Sequence, residues 1–439
     1  VTTKVTDEPD GKGDKVSVTI ESNGDVTEAD QPVFTVKVSQ ALDSDLTVTL
    51  SNGDSVVIKA GQTEATYSPA AQGEDVFKDG STLTVGIDSA TVVGKTFENL
   101  QLGDAASVKI SDTVSEVVAT LSADKPTVSE GGTVTYTVTL TNKDGLPVSG
   151  HNGLSFTLSN GQTITLAAGQ TSGSVTVTAG DDVYVGGQKD LSATLTGVSG
   201  GDKFEQLTLG KETVTTEVTD EPDGKGDKVS VTIESNGDVT EADQPVFTVK
   251  VSQALDSDLT VTLSNGDSVV IKAGQTEATY SPAAQGEDVF KDGSTLTVGI
   301  DSATVVGKTF ENLQLGDAAS VKISDTVSEV VATLSADKPT VSEGGTVTYT
   351  VTLTNKDGLP VSGHNGLSFT LSNGQTITLA AGQTSGSVTV TAGDDVYVGG
   401  QKDLSATLTG VSGGDKFEQL TLGKETVTTK VTDEPDGKG

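Results

Sequence analysis

The sequence predicts an all-β fold of tandem immunoglobulin-like β-sandwiches, with about seven strands each, joined end to end as an extended rod. Three observations predict it: apolar residues alternate with Thr and Ser in short runs, turn words such as NG and DG separate these runs, and the pattern recurs about every 105 residues. No stretch keeps a helical period over a dozen residues. Seven short alternating strands in a segment of this length are typical of a two-sheet sandwich.

A long repeat contains a shorter one. Two copies of 213 residues and the first 13 residues of a third make up the 439 residues, and the copies differ only where Lys4 and Lys430 stand against Glu217. Each copy has two diverged halves, the A-type and the B-type half, which share the words FENLQLG at Phe97 and FEQLTLG at Phe204. The predicted domains are 1–112 (A-type), 113–219 (B-type), 220–325 (A-type), 326–432 (B-type) and the start of a third unit at 433–439.

The strand pattern is clearest in the first B-type half. In TVTYTVTL at Thr133 the alternation predicts that the four apolar side chains face the core and the threonines face water: Val134, Tyr136, Val138 and Leu140. DLSATLTG at Asp190 is predicted to be one strand. Phe97, Phe204 and Tyr184 are predicted to be core or loop-plug residues, and His151, in a Gly-rich loop, is predicted to be exposed.

Composition excludes several classes of partner. The chain carries 62 acidic and 27 basic side chains, a net charge of −35, which excludes nucleic acid and an anionic membrane surface as partners. It has no cysteine, so disulfides cannot stabilise it. No apolar run approaches the roughly 18 residues of a membrane span, and no signal peptide opens the chain. We therefore expect an internal piece of a longer protein, without membrane insertion by this segment.

Acidic residues recur in three loops that a seven-stranded sandwich brings to one pole. In a B-type half these are the loop after the first strand, the loop between the fifth and sixth strands, and the exit of the last strand. The predicted ligands in the first copy are Glu28, Glu74, Asp75 and Asp112 in the A-type half, and Glu130, Asp181, Asp182, Asp220, Glu221 and Asp223 in and after the B-type half. Those in the second copy are Glu241, Glu287, Asp288, Asp325, Glu343, Asp394, Asp395 and Asp433.

Converging carboxylates repel one another, and a bound cation removes that repulsion. A set of carboxylates, backbone carbonyls and water suits calcium, whereas flexible loops seldom give the tight octahedron that magnesium needs. The sequence therefore predicts calcium at the C-terminal pole of each half. The alternative is a set of solvated loop acids in a protein rich in them.

The words VSEGGTVTYTVTLTN, LSNGQTITLAAGQTSGSVTV, AGDDVYVGG and FEQLTLGKETVTTEVTDE resemble the extender repeats of giant RTX-type bacterial adhesins of the large-adhesion-protein class, over essentially the whole chain. The layout is also similar to cadherin repeats. The resemblance implies a calcium-rigidified stalk, with the acids named above as ligands. It also implies type I secretion to the surface of a Gram-negative bacterium, a role in adhesion and biofilm formation, and ligand-binding domains elsewhere in the parent chain. No GGxGxDxxx array, membrane-retention module or ligand-binding domain is present in the sequence.

The sequence does not favour an enzyme. It contains no GxSxG, HExxH, P-loop or cysteine-based motif, and His151 is the one histidine of its repeat. Paired acids could hydrolyse glycosides, but aromatic residues are 4% of the chain and Trp is absent, so sugar platforms are lacking. The alternative function is a binding module, in which these domains themselves contact a glycan or a protein on a host or surface.

Overall fold

The computed structural model describes residues 1–6, 8, 12–222 and 225–435. The chain divides into two compact units: the first is Val1–Asp182 with Gly186–Glu221, and the second is Val183–Val185 with Pro222–Gly439. Over the described residues all regular structure is β-strand, as the alternating pattern predicts. None of these residues forms a helix with the length and apolar character needed to cross a membrane.

Forty strands, ten in each half, form in the described residues. The first A-type half contains β1 (Lys15–Ser22), β2 (Val26–Thr27), β3 (Phe34–Val38), β4 (Leu46–Leu50), β5 (Ser55–Ile58), β6 (Glu64–Tyr67), β7 (Ser81–Val85), β8 (Ile87–Val92), β9 (Asn99–Leu102) and β10 (Ala106–Ser111). The first B-type half contains β11 (Glu116–Ala123), β12 (Thr127–Ser129), β13 (Thr133–Asn142), β14 (Leu154–Leu158), β15 (Thr163–Leu166), β16 (Ser172–Thr178), β17 (Leu191–Ala193), β18 (Leu195–Ser199), β19 (Gln206–Leu209) and β20 (Val214–Thr219).

The second copy repeats these bounds. Its A-type half contains β21 (Lys228–Ser235), β22 (Val239–Thr240), β23 (Phe247–Val251), β24 (Leu259–Leu263), β25 (Ser268–Ile271), β26 (Glu277–Tyr280), β27 (Ser294–Val298), β28 (Ile300–Val305), β29 (Asn312–Leu315) and β30 (Ala319–Ser324). Its B-type half contains β31 (Glu329–Ala336), β32 (Thr340–Ser342), β33 (Thr346–Asn355), β34 (Leu367–Leu371), β35 (Thr376–Leu379), β36 (Ser385–Thr391), β37 (Leu404–Ala406), β38 (Leu408–Ser412), β39 (Gln419–Leu422) and β40 (Val427–Thr432).

Each half is a β-sandwich with one four-stranded sheet and two three-stranded sheets. The sheet orders in the first A-type half are β6-β3-β1-β9, β5-β4-β8 and β2-β10-β7, and in the first B-type half β16-β13-β11-β19, β15-β14-β18 and β12-β20-β17. The corresponding strands of the second copy have the same orders. Four clusters of buried apolar side chains form, one centred in each half.

The predicted core face of β13 is confirmed. Its four alternating apolar side chains have no solvent exposure: Val134, Tyr136, Val138 and Leu140. The intervening threonines are partly exposed. Period-two alternation thus places one face of the strand in the core, as a half-buried strand requires.

The first B-type half has ten strands where about seven are expected, because one continuous run divides between two sheets and two further short segments, β12 and β19, also pair as strands. DLSATLTG is the divided run: its first part, β17, pairs with β20, and its second part, β18, pairs with β14. Thr194 lies between them and exchanges hydrogen bonds with Ser159, whose hydroxyl accepts from the Thr194 N–H at 3.0 Å. The sequence shows one alternating run because Thr194 keeps the period-two alternation across the change of sheet.

The second and last strands of each half run parallel to each other. In the A-type half β2 pairs with β10 through Val26↔Ile110 and Thr27↔Ser111. In the B-type half β12 pairs with β20 through three residue pairs. The last strand of a half therefore ends beside its second strand and not beside its first.

His151 is buried, with 2% exposure, so the predicted exposed role is wrong. Its Nδ1 accepts a hydrogen bond from the Gly153 N–H at 3.0 Å, and its Nε2 lies 2.6 Å from the Gln170 carbonyl oxygen. Its ring lies 6.3 Å from that of Phe204, centroid to centroid. Backbone partners for both ring nitrogens compensate the burial of this polar side chain.

Near the loop of His151, alanine substitution should have different effects on stability at two glycines, Gly200 and Gly197. Gly200 has φ +91°, and a Cβ there would lie 2.5 Å from the Gly153 carbonyl oxygen, whereas a Cβ at Gly197 meets nothing within 4 Å. The Gly200→Ala, Gly413→Ala double variant should lower the free energy of unfolding by about 2 kcal/mol or more per B-type half. Gly197→Ala with Gly410→Ala should be neutral or stabilising by about 0.4–1 kcal/mol. Urea unfolding measures both pairs, and equal effects would contradict this account.

Candidate metal centre

Inside each compact unit, acidic side chains gather where the A-type half meets the B-type half. We call this set the junction cluster. In the first unit it comprises Glu28, Glu74, Asp75, Asp79, Asp112 and Glu205, and in the second unit Glu241, Glu287, Asp288, Asp292, Asp325 and Glu418. Five of the six come from loops of the A-type half, and the sixth comes from the B-type half.

A short β-bridge joins the two halves of the first unit. Lys78 N–H donates to the Lys203 carbonyl at 2.8 Å, and Glu205 N–H donates to the Val76 carbonyl at 3.0 Å. Between these bonds the rings of Phe77 and Phe204 stack, with centroids 5.3 Å apart. The bridge fixes Glu205 beside the acidic loop of the preceding half.

Glu28 is the most enclosed member of the junction cluster, with no solvent exposure. Its Oε1 accepts two hydrogen bonds from Thr113, from the N–H and from the hydroxyl, each at 3.3 Å. Its Oε2 is buried and has no hydrogen-bond partner among the described residues. A buried carboxylate oxygen in this state costs free energy unless a partner of positive charge reaches it.

Two further acids, Glu74 and Glu205, accept hydrogen bonds from the linker between the halves. Glu74 accepts hydrogen bonds from the Thr113 hydroxyl and, at 2.7 Å, from the Ser115 hydroxyl. These bonds lower the pKa of Glu74. Glu205 Oε2 accepts the Ser115 N–H at 2.6 Å, so carboxylates of both halves hold the same short linker.

The charges of the other acids also affect the pKa of Glu205. Burial raises the pKa of Glu205, and the neighbouring charges of Glu28, Asp112 and Glu74 raise it further. Its Oε1 is a second buried oxygen without a hydrogen-bond partner in the described part of the chain. The cluster therefore holds more negative charge than its own hydrogen bonds stabilise.

Asp79 and Asp112 complete the set around Glu28. Glu28, Asp79 and Asp112 each offer a carboxylate oxygen, and these three atoms all lie within 4.8 Å of one another. The Asp79 N–H donates to Asp112 Oδ1 at 3.1 Å. Asp75 plays a local part, because its Oδ1 accepts the Phe77 N–H at 2.6 Å and so shapes the loop. Asp112 therefore lies where the sequence predicts it, and Asp79 joins it.

The second unit forms the same cluster by itself. Glu241 has no solvent exposure, and its Oε2 lacks a hydrogen-bond partner among the residues described. Two overlapping groups of carboxylates with oxygens within 4.8 Å include it, one with Asp288 and Asp292 and one with Asp325 and Glu418. Glu287 accepts hydrogen bonds from Thr326 and Ser328, as Glu74 does in the first unit.

Four members of the junction cluster were missed by sequence reasoning: Glu205, its copy Glu418, Asp79 and its copy Asp292. The signal for Glu205 was the Phe-Glu word shared by both halves, whose glutamate always accepts the N–H that precedes the first strand. Glu98 does so for Asp14 at 3.0 Å, and Glu311 does so for Asp227 at 2.9 Å. Asp79 follows Phe77 by two residues in a word that resembles turn punctuation, so nothing marked it as a ligand.

The predicted acids of the B-type halves also converge at one pole. In the first unit Asp182 N–H donates to Glu130 Oε2 at 3.3 Å, and Gly186 N–H donates to Asp220 Oδ1 at 2.6 Å. Glu130 is buried, with 3% exposure, and Asp181 would touch a Cβ placed on Gly131. Glu221 is half-buried at the end of the unit.

The second unit repeats this pole with longer contacts. Asp395 N–H donates to Glu343 Oε2 at 3.4 Å, and Gly399 N–H donates to Asp433 Oδ1 at 2.7 Å. Glu343, Asp394, Asp395 and Asp433 do not form a group of three carboxylates within 4.8 Å in the described part of the unit. Asp223, also predicted as a ligand, lies outside the described residues, so its role stays a prediction.

Comparisons with known proteins agree with this architecture. The sequence model of the LapA domain matches four stretches of the chain, residues 14–113, 116–221, 227–326 and 329–434. A search of curated proteins finds no match. The exact residues at which the predicted domains begin and end stay a prediction.

Three solved structures are similar in part. The tetra-tandem repeat in the extending region of a large adhesion protein is 18% identical, with 94% of this chain and 98% of that chain covered and a TM-score of 0.23. The Escherichia coli adhesin FdeC is 16% identical, with 71% and 96% covered and a TM-score of 0.18. Escherichia coli alpha-2-macroglobulin activated by porcine elastase is 12% identical, with a TM-score of 0.18; 97% of this chain is covered but only 45% of that chain.

The family follows from the sequence match, since the matched ranges take in most of the chain and coincide with its four β-sandwich halves. The resemblance of the sequence to extender repeats of the large-adhesion-protein class is confirmed. The chain belongs to the LapA domain family.

Proposed function

We propose that this chain is a stalk segment of a secreted bacterial surface adhesin, a spacer that calcium stiffens at the junction inside each unit. Membership of the LapA domain family and the tandem β-sandwich halves support the spacer role. In this proposal the parent protein leaves a Gram-negative cell by type I secretion and carries its ligand-binding domains elsewhere. Its biological role is adhesion and biofilm formation.

One observation carries the calcium part: Glu28 Oε2 is fully enclosed, lacks a hydrogen-bond partner among the described residues, and belongs to a group of converging carboxylates. Glu205 Oε1, from the next half, is in the same state. Like charges held this close are stable only with a counter-charge. The residues of the junction cluster therefore fit a cation.

The donor set suits a hard cation. Carboxylates are the titratable groups of the cluster, and the chain has no cysteine to supply a soft ligand. The acids come from loops and from both halves, so the site tolerates the irregular geometry of calcium better than the strict octahedron of magnesium. Glu28, Asp79, Asp112 and Glu205 would hold the ion in the first unit, and Glu241, Asp288, Asp292, Asp325 and Glu418 in the second.

The mechanical role follows from where these ligands originate. Glu28 and Glu74 hold Thr113 and Ser115 of the linker, while Glu205 belongs to the following half. A cation held by Glu28 and Glu205 together would fix one half against the other. Extracellular modules bind calcium at about 10⁻⁴–10⁻³ M, so the junction would be stiff outside the cell and loose in the cytosol before export.

Calcium titration of the chelator-stripped chain tests the proposal. Isothermal calorimetry should show binding, and calcium at about ten to a hundred times the dissociation constant should stabilise each junction by about 1.4–2.7 kcal/mol. Small-angle scattering should show a narrower distribution of dimensions in calcium than in EDTA. Glu205→Gln should weaken calcium binding at its junction about tenfold or more, because one ligand loses its charge.

Glu98→Gln is the matched control. Glu98 stands in the same Phe-Glu word and makes the same hydrogen bond to a backbone N–H as Glu205 does, but it joins no carboxylate group among the described residues. It should leave the calcium response of the junctions unchanged. The proposal is wrong if calcium binds without stabilising the chain, or if both substitutions have the same effect.

A further inference from the structure

A polar cleft lies on the A-type half of each unit. In the first unit it lies over the paired strands β7 and β10, where Thr82 is opposite Lys109 and Ser81 is opposite Ile110. Its volume is about 610 Å³, and the copy over β27 and β30 has about 590 Å³. Both volumes are typical of sites that bind small molecules. The residues that line each cleft all come from one A-type half.

Two lysines give the cleft its positive charge. Lys78 and Lys109 line it in the first unit, as Lys291 and Lys322 do in the second. Lys78 Nζ donates to the Asp202 carbonyl oxygen at 3.3 Å, and neither Lys78 nor Lys109 forms an ion pair among the described residues. Their ammonium groups are therefore available to an anionic group of a ligand.

Three hydroxyl side chains line the same cleft, those of Ser81, Thr82 and Ser111. The Ser81 hydroxyl donates to Gln72 Oε1 at 2.8 Å, and Gln72 in turn donates to Asp79 Oδ1 at 2.7 Å, so Ser81 is held in place. The hydroxyls of Thr82 and Ser111 make no hydrogen bond within the described part of the chain. Since a hydroxyl both donates and accepts, these groups suit a ligand that itself carries hydroxyls.

Asp112 adds an acceptor to the lining. Its Oδ1 accepts the Asp79 N–H at 3.1 Å, and Gly80 leaves the space beside this oxygen open, since a Cβ there would lie 3.0 Å from it. A carboxylate only accepts hydrogen bonds, so a matching ligand brings a donor as well as an anionic group. A simple carboxylate such as acetate lacks that donor, whereas a sugar acid has a carboxylate and several hydroxyls on one ring.

The first B-type half has acids at the corresponding place. The last strand of each half pairs with the second strand, and in this register Lys109 corresponds to Glu217. The carboxylate of Asp190 lies close by, because it accepts the Val218 N–H at 3.2 Å. The basic cleft is therefore not a general property of these β-sandwiches, and it distinguishes the A-type half from the B-type half that follows it.

We propose that the cleft of each A-type half binds a hexuronate, a sugar whose ring carries a carboxylate. Lys78 and Lys109 bind the carboxylate, and the ring hydroxyls pair with Thr82, Ser111 and Asp112. No aromatic ring is among the residues described as lining the cleft, so affinity depends on charge and hydrogen bonds alone. For a ligand of about thirteen non-hydrogen atoms this predicts a dissociation constant of about 1 mM. The two clefts of one chain gain avidity when the sugar is a unit of a polymer.

Titration of the chain with D-glucuronate, followed by heteronuclear NMR, tests this inference. The titration is done in EDTA, because the carboxylate of the sugar is itself a calcium ligand. The amide signals of Thr82, Ser111 and their copies should shift and saturate, with a dissociation constant of about 1 mM. Glucose lacks the carboxylate and acetate lacks the ring, so each should bind about tenfold more weakly or less.

Substitutions separate the cleft from unspecific attraction. Lys109→Gln with Lys322→Gln should weaken glucuronate binding about tenfold. Lys15→Gln with Lys228→Gln removes the same charge from exposed positions of the same halves outside the cleft and should leave binding unchanged. Thr82→Val with Thr295→Val keeps the charge and removes a hydroxyl, so it should weaken the binding of glucuronate and not that of acetate.

Three results overturn the inference. The first is the absence of saturable binding at about 10 mM glucuronate. The second is an equal loss of binding in the two pairs of lysine variants. The third is binding of acetate or of a triglutamate peptide as tight as that of glucuronate, which makes the cleft a general anion site or an acidic-peptide site. If circular dichroism finds the Lys109→Gln, Lys322→Gln variant unfolded, the threonine variant decides in its place.

Discussion

The Glu28→Gln, Glu241→Gln double variant should be more stable than the native chain in EDTA, and calcium should stabilise it much less. Each glutamate is fully buried, and one of its oxygens lacks a hydrogen-bond partner in the described residues. Glutamine has the same shape without the charge. Its carbonyl still accepts from Thr113, and the loss of the charge removes the repulsion from Asp79 and Asp112, which each have a carboxylate oxygen within 4.8 Å of one of Glu28. The expected gain is about 1–3 kcal/mol per A-type half.

In calcium, the substitution should lower the stability that the junction gains, because it removes a ligand. A native junction should gain about 1.4–2.7 kcal/mol at ten to a hundred times the dissociation constant, and the double variant should lose most of that gain. Differential scanning calorimetry in EDTA and in calcium measures both effects. Glu21→Gln with Glu234→Gln is the control, since these exposed acids pair with Lys37 and Lys250 and the substitutions change the net charge equally. If the buried pair is destabilised in EDTA and keeps its calcium response, Glu28 is not a ligand.

The second large effect concerns Tyr136 and its copy Tyr349. Both have no solvent exposure, and their hydroxyls have no hydrogen-bond partner in the described part of the chain. Burial accordingly raises the pKa of each. Replacing both by alanine should cost about 3–5 kcal/mol per B-type half, because a large cavity opens at the centre of the sandwich. Replacing both by phenylalanine should instead stabilise each half by about 1 kcal/mol, because it removes a buried polar atom without a partner.

Tyr67 and Tyr280 provide the matched comparison in the A-type halves. The Tyr67 hydroxyl donates to Asp54 and accepts from Asn52 at 2.6 Å. Phenylalanine at these two positions should therefore destabilise each half by about 0.5–1.5 kcal/mol. Urea unfolding of the four double variants gives the sign of each effect. The interpretation of Tyr136 is wrong if phenylalanine lowers stability there as much as it does at Tyr67.

The fold was predictable because its main determinant is local. Alternation along β13 decides by itself which side chains are buried, and the four predicted core residues are the ones with no exposure. The pole that gathers Glu28, Glu74 and Asp112 was predictable too, since strand direction fixes which loops share an end of a sandwich. Alternation does not report where a strand changes sheet, so the break at Thr194 between β17 and β18 was hidden.

What the sequence could not predict depends on contacts between halves. Glu205 reaches Ser115 from 90 positions away, through a bridge that only the packing of one half on the next creates. The burial of His151 depends on residues distant in the sequence, since its ring lies beside Gln170 and Phe204. Its neighbour Gly150 lies against Phe77 of the preceding half, where a Cβ would be 3.0 Å from the ring. Periodicity within one strand contains no information about such a neighbour.

The parallel pairing of the second and last strands decides how tension would act on a half. When the two ends of the chain are pulled apart, β2 and β10 slide along each other in opposite directions, so their hydrogen bonds are loaded in shear at the same time. A hairpin pulled from its open end would lose its bonds one by one. In the B-type half three residue pairs of β12 and β20 share this load. A half tied in this way resists a drag force through its topology, before any ion adds to it.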